Sequence, residues 1–230
     1  MHYRADFHIH SCLSPCAELE MSPSSIVEAA QAAGLNAIAL SDHNCGFNLP
    51  AFDVVCARAK MACLYGVEVT SQEEAHILCL FDQLDVAVAW GDAVYEGLPP
   101  VPNRPDRFGD QPIVNADNEI LGFAEKFLIA ASCFSVSQIV AEVHQRGGLC
   151  IPAHIDRRVY GIIAQLGFLP EDPFDAVELT PRGRVKLAKG FPIVRHSDAH
   201  QLAAIGRAFT SYELPTLSVA ALQRTFDQSC

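Results

Sequence analysis

The sequence has no CxxC pair and no apolar run approaching the roughly 20 residues that a membrane-spanning helix requires. Cysteine itself is present, but its nine copies are odd in number, and Cys79 in "HILCLF" and Cys150 in "GLCIPAH" lie inside apolar runs. This usage argues against a disulfide framework and for free, buried thiols in a reducing compartment. Basic residues are scarce: 16 Lys and Arg against 27 Asp and Glu leave a net charge of −11. Long nucleic acid and anionic membranes are therefore disfavoured as partners, unless bound cations dominate the local field. The first ten residues, which hold Asp6, His8 and His10, lack the character of a secretory signal, so a cytoplasmic location is expected. Low-complexity tracts and internal repeats are also missing. What remains is an ordinary globular composition, half apolar and 19% charged, long enough for one sizeable core; a single domain over 1–230 is expected.

Seven apolar runs recur along the chain: "YRADFHIH", "NAIALSDH", "CLYGVEVT", "AHILCLF", "GLCIPAH", "DAVELT" and "FPIVRHSDAH". Helical segments follow several of them. "SPSSIVEAAQAAG" offers Ser22 or Ser24 as cap and Gly34 as stop, and "SVSQIVAEVHQRGG" starts at Ser135 or Ser137 and ends at Gly147. Strands alternating with helices predict a parallel α/β architecture, either a closed or nearly closed barrel or an open doubly wound sheet. The rhythm breaks between 97 and 135, where "GLPPVPNRPDRFGDQ" is rich in Pro, Gly and charge and "IVNADNEILG" reads as a hairpin turning at Asp117-Asn118. This segment is expected to be an insertion, a lid or hairpin.

The ends of these runs carry ionisable residues of one kind. In an extended strand, Asp6, His8 and His10 face one way while Phe7 and Ile9 face the other. Asp42 and His43 end the second run, Glu68 lies on the third, His76 opens the fourth, His154 ends the fifth, and Asp198 and His200 end the last. Each residue alone has an ordinary structural explanation. Together they are unusual, because burying an unpartnered polar group costs several kcal/mol. Imidazoles and carboxylates converging at strand ends suit zinc, manganese or iron.

On these residues the chain resembles the PHP (polymerase and histidinol phosphatase) family of metal-dependent phosphoesterases. The motifs "DFHIH" (6–10), "ALSDHN" (39–44), "GVEVT" (66–70), "HILCLF" (76–81), "PAHIDR" (152–157), "VELT" (177–180) and "HSDAH" (196–200) carry the likeness. The resemblance implies a distorted (β/α)7 barrel of the metallo-dependent hydrolase type, with two or three divalent ions. It assigns His8, His10, Glu68 and Asp198 to one ion, and Glu68 as a bridge with His76 and His154 to a second. His43 and His200 go to a third, with a ligand from the loop after the first strand. In that loop "SCLSPC" offers only thiols: Cys16 is the candidate, with a bias toward zinc, or the position supplies no ligand. Asp6 and Asp42 are expected to orient ligating histidines, Asp42 having direct ligation as an alternative.

The implied activity is hydrolysis of a phosphate ester of a small molecule, nucleotide-like or histidinol phosphate-like, by a hydroxide bridging the metals. Asp198 would accept a proton, His200 would ease departure of the leaving oxygen, and Arg157 would bind phosphate, ahead of Arg182, Arg184, Arg195 and Arg207. Competing readings are a nuclease acting on short oligonucleotides, a metal-dependent amide hydrolase, and a non-catalytic metal-binding regulatory module.

Overall fold

The computed structural model describes residues 1–228. In chain order its elements are β1 (His2–Ile9), α1 (Pro23–Ala32), β2 (Ala37–Leu40), α2 (Leu49–Ala59), β3 (Ala62–Thr70), β4 (His76–Phe81), α3 (Leu84–Glu96), α4 (Pro105–Phe108), β5 (Pro112–Val114) and β6 (Ile120–Phe123). There follow α5 (Val136–Gln145), β7 (Leu149–Pro152), α6 (Ile162–Leu166), β8 (Val177–Glu178), β9 (Ile193–Val194), β10 (Thr210–Glu213) and α7 (Val219–Asp227). The helix boundaries follow their caps. Ser22 Oγ accepts from the Ser25 amide at 3.3 Å to start α1. At α5, Ser135 and Gln138 cap each other reciprocally. Gly34 and Gly147, at φ 74° and 72°, adopt the left-handed conformation that ends these two helices.

The main sheet has the order β10-β1-β2-β3-β4-β7. β1, β2 and β3 are parallel, but β4 is antiparallel to both β3 and β7, and β10 adds an antiparallel edge beside β1. The simple strand–helix alternation therefore fails at β3–β4. Five residues join these strands as a hairpin, leaving no room for the crossover helix that a parallel pair requires. A separate parallel pair, β8–β9, lies across the opening of the curled sheet. The amide of Asp175 donates to Cys150 O at 3.1 Å and that of Ile155 to Glu178 O at 2.9 Å, while His10 N donates to Ala199 O at 3.0 Å.

Two apolar clusters define the faces. Helices α1, α2, α3 and α5 cover the outside through Ile26, Phe52, Trp90 and Ile139, packed on Ile38, Leu40, Val67 and Ile77. Inside the curl, Phe7, Leu64, Leu78 and Ile151 pack with Leu222 and Phe226 of α7. The expected alternation along β1 does not hold. Phe7 belongs to the inner cluster and Ile9 to the outer one, because pairing with β2 shifts register between Asp6 and Ile9. A bulge of this kind re-aims side chains. Here Asp6 parts company with His8 and His10.

The 97–135 segment carries α4 and the β5–β6 hairpin, which turns through Asn118 at φ 63°. It is tied to the β2–α2 loop. Asn48 Oδ1 accepts from Val114 N at 2.9 Å, and Asn44 Nδ2 donates to Leu128 O at 2.6 Å. The eight described cysteines are free thiols, and Cys230 lies outside the described residues. Among the described residues no helix is long and apolar enough to cross a membrane.

Candidate metal centre

Glu68 of β3 is fully buried, and five imidazoles surround its carboxylate. Oε1 lies 3.1 Å from His8 Nε2, 3.0 Å from His76 Nδ1 and 3.2 Å from His154 Nε2. Oε2 lies 3.0 Å from His43 Nδ1 and 3.4 Å from His10 Nε2. Asp198 Oδ1 completes the cluster, 3.4 Å from His8 Nε2 and 3.2 Å from His10 Nε2. His8 Nε2, His10 Nε2, His43 Nδ1 and Glu68 Oε2 are buried with no hydrogen-bond partner despite these close approaches. Buried polar atoms are normally satisfied. Ring nitrogens and a carboxylate oxygen that face one another at 3.0–3.4 Å without a shared hydrogen suit a cation between them.

Three groups of donor atoms lie within 4.8 Å of one another: His8, His10, Glu68 and Asp198; His43, Glu68 and His76; and His10, His43 and His200. The first is the four-residue set assigned from the sequence. In the second, His43 stands where His154 was expected, although His154 still reaches Glu68. In the third, His10 joins His43 and His200. Cys16 does not enter this group; its Sγ sits 3.3 Å from His43 Nε2, on the ring edge away from Glu68.

The charges are strongly interdependent. Burial opposes protonation of His8, but Glu178, Glu68 and Asp198 together hold its pKa well above the usual 6.5. Burial likewise opposes protonation of His43, but Glu68 and Cys16 together outweigh it, raising the pKa to about 10. For His10, burial reinforced by His200 and His43 drives the pKa well below 6.5, and for His76 burial prevails and brings it to about 4. Burial works against ionisation of Glu68 and Asp198, yet the surrounding imidazoles keep both carboxyls well below the ordinary range. His43 and His200 likewise lower the Cys16 thiol to about 6 against the effect of burial. Two residues of the cluster, His154 and Asp198, have φ of 30° and 50°. Such strain in non-glycine residues is characteristic of functional sites.

Buried groups behind the cluster fix its orientation. Glu178 accepts from His8 Nδ1 at 2.9 Å, His196 Nδ1 at 2.8 Å and the His154 amide at 2.9 Å. Ser14 Oγ lies 3.0 Å from His10 Nδ1 and donates to Asp42 at 2.7 Å, so Asp42 acts on His10 through a serine. Asp6 touches no ligating histidine. It accepts from the amides of Ser197 and Gly206, fixing the chain just before Asp198. Glu178 and His196 were missed in the sequence reading, though "VELT" ends a strand-like run on a carboxylate just as the ligand-bearing runs do.

Above the cluster lies a cavity of about 140 Å³, bordered by Cys16, Ile129, Arg157, Tyr160 and His200. Arg157 pairs with Asp198 through a short contact, its side chain half exposed. Of the other candidate cations, Arg195 is spent on the carbonyls of Thr180 and Gly183, while Arg182, Arg184 and Arg207 are exposed. A larger hollow of about 480 Å³ within the insertion, bordered by Asp110, Phe123 and Glu125, has no histidine in its wall.

Comparison with known proteins places this arrangement. Curated sequences yield no match. Among solved structures, the lesion-specific endonuclease Q of Pyrococcus furiosus superposes with a TM-score of 0.73 at 17% identity, over 99% of this chain and 56% of that one. The present chain thus spans little more than half of that relative. An amidohydrolase from Chromobacterium violaceum gives a TM-score of 0.61 at 17% identity. A protein from Bifidobacterium adolescentis assigned as a metal-dependent phosphoesterase gives 0.60 at 15%. Each of these two is covered over 96% of its length and covers 98% of this chain. At such identities the likeness establishes the fold. Residues 6–161, well over half of the sequence, match the PHP domain profile, and the chain belongs to that metal-dependent hydrolase family.

Proposed function

We propose that this protein is a metal-dependent phosphoesterase acting on a phosphate ester of a small molecule, in a reducing cytoplasm. The carrying observation is the set of buried, unpartnered ring nitrogens and carboxylate oxygen around Glu68, directly beneath the cavity that Arg157 borders. In this reading β1, β2, β3, β4, β7, β8 and β9 form the seven members of a distorted barrel that aims its strand ends at one point. His8, His10, Glu68 and Asp198 would hold one ion, and Glu68, His76 and His154, with His43 adjacent, a second. His43 and His200 would hold a third, which Cys16 would join by rotation of its side chain. Divalent ions held by such donors act as Lewis acids that acidify water and neutralise phosphoryl charge, with zinc, manganese and iron all compatible.

The protein's own groups do the rest. Arg157 binds a phosphoryl oxygen from the open side, where its guanidinium fork suits a phosphate. Asp198, anionic at neutral pH, orients the attacking water and accepts its proton. Departure of the leaving oxygen would be eased by an ion held at His43 and His200 or, with that position empty, by His200 itself, whose pKa is raised by the neighbouring Cys16 and Asp198 despite burial, as proton donor. Chelation is expected to abolish hydrolysis of an aryl phosphate, and Mn²⁺ or Zn²⁺ to restore it. Full activity in metal-free protein would overturn the reading.

A second reading, a nuclease on short oligonucleotides, draws on one feature. No acidic residue occurs between Glu178 and Asp198, and within that stretch Arg182, Arg184 and Lys186 are exposed, with no ion-pair partner among the described residues. Cleavage of an oligonucleotide faster than of aryl phosphates would favour it.

A further inference from the structure

The wall of the cavity facing the insertion is built with more care than a surface loop requires. Ile129 is the aliphatic side chain that borders the 140 Å³ cavity, and the hydrogen bonds on either side of it come from one residue. Asn44 Nδ2 donates to Leu128 O at 2.6 Å and to Ala130 O at 2.9 Å. Asn44 is in turn locked to the strand that bears Glu68: its Oδ1 accepts from Thr70 N at 2.8 Å and its amide donates to Glu68 O at 2.9 Å. Ser132 adds two bonds to Thr70 O, from its amide and its hydroxyl. The position of Ile129 is thus referred to the same backbone that positions His43 and Glu68. Beside it, the Tyr160 ring stacks on His76 at 4.3 Å and 8°, with its carbonyl accepting from the His76 amide at 2.9 Å.

Arg157 and Asp198 border both this cavity and a second one of about 290 Å³, whose wall continues through Thr180, Pro181 and His196. At about 140 Å³ the cavity is well below the roughly 300–1,000 Å³ of clefts that enclose a whole drug-sized ligand, a size suited to a phosphoryl group. A monoester has one substituent to lead out, and the 290 Å³ cavity receives it. A diester has two, which diverge tetrahedrally from phosphorus; when one passes Arg157 the other has to be accommodated at the remaining wall, which Ile129 and Tyr160 border.

Building on the phosphoesterase reading, we propose that Ile129 is a specificity-determining residue, which closes the insertion side of the phosphoryl site and selects terminal phosphate monoesters over phosphodiesters. The test compares metal-reconstituted wild type with Ile129→Ala and Ile129→Val. p-Nitrophenyl phosphate and bis(p-nitrophenyl) phosphate serve as substrates, since they share a leaving group. The wild type is expected to prefer the monoester. The ratio of diester to monoester kcat/KM is expected to rise about tenfold in Ile129→Ala, the scale of discrimination that a few buried carbons provide, and to stay near wild type in Ile129→Val. Calorimetric binding of phenylphosphonate and diphenyl phosphate reads the same preference without turnover. An unchanged ratio in Ile129→Ala, or wild-type protein that binds diphenyl phosphate as tightly as phenylphosphonate, would overturn the proposal. A preference for phenylphosphonate that shrinks in Ile129→Ala, with no turnover of either ester, would support the wall and defeat the phosphoesterase reading.

Discussion

Removing Glu178 tests whether the buried groups behind the cluster set its affinity for metal. The carboxylate takes three hydrogen bonds, from His8 Nδ1, His196 Nδ1 and the His154 amide, at 2.8–2.9 Å. Glu178→Ala leaves all three donors buried and unpaired, and frees the His8 ring to turn or change tautomer, so that Nε2 no longer faces Glu68. Loss of a carboxylate behind a liganding histidine typically costs 10–100-fold in metal affinity, about 1.4–2.7 kcal/mol. One effect opposes this. Glu178 also helps raise the pKa of His8, so part of its benefit is spent on a proton that the metal must displace. The expected loss for Glu178→Ala therefore sits near the lower end, about tenfold. Glu178→Gln should lose less. Its amide oxygen can still accept from His8 and the His154 amide, while His196 changes tautomer to accept from the amide nitrogen. The assay is competition with a chromophoric chelator at fixed pH and ionic strength, with circular dichroism to verify the fold. Zinc affinity within twofold of wild type in Glu178→Ala would refute the reasoning.

Two further outcomes are expected. The raised pKa of His43 contributes stability to the metal-free protein that is complete below pH 6.5 and lost as pH rises through about 10, so its Tm should fall across that window. Metal-loaded protein, in which His43 is neutral, should show a weaker slope, and metal affinity should climb over the same range; a flat metal-free profile measured by calorimetry would be inconsistent with the Glu68–His43 pairing. In α3, Gly91→Ala should destabilise by about 1–3 kcal/mol, although alanine ordinarily favours a helix by about 1 kcal/mol, because the added Cβ would lie 2.5 Å from Gly46 N and 3.1 Å from Cys45 C. A higher urea midpoint for this variant would show that the β2–α2 loop yields.

The strands and helix caps were legible because they rest on local chemistry. Apolar runs bounded by polar residues became β1, β2, β3, β4, β7, β8 and β9, and Ser22, Ser135, Gly34 and Gly147 punctuate the helices where their side chains or φ angles require. Direction was not legible. "CLYGVEVT" and "AHILCLF" read alike as buried strands, and only the five-residue spacing between them, too short for a crossover helix, reveals that β4 runs backwards. The face of β1 was also hidden. A period of two assumes regular pleating, and a register shift within four residues placed Phe7 inside, Ile9 outside and Asp6 away from the histidine cluster.

The clustering of His8, His10, His43, Glu68, His76, His154 and Asp198 was readable for a different reason: histidines and carboxylates in apolar runs are costly unless paired, so their presence carried information wherever they fell. Net charge carried less. The value of −11 sums over the whole chain, but the carboxylates at the site are buried and neutralised by imidazoles, while Arg157, Arg182, Arg184 and Lys186 occupy the rim and the adjoining exposed turn. In the proposed reading, a phosphorylated ligand approaching the cavity would meet that local field. Across a Debye length of about 10 Å at 0.1 M salt, acids elsewhere on the surface are largely screened from it. The overall acidity therefore bears on solubility and long-range repulsion of polyanions, and leaves capture of a single phosphate at the cavity mouth to a few cations that a composition count averages away.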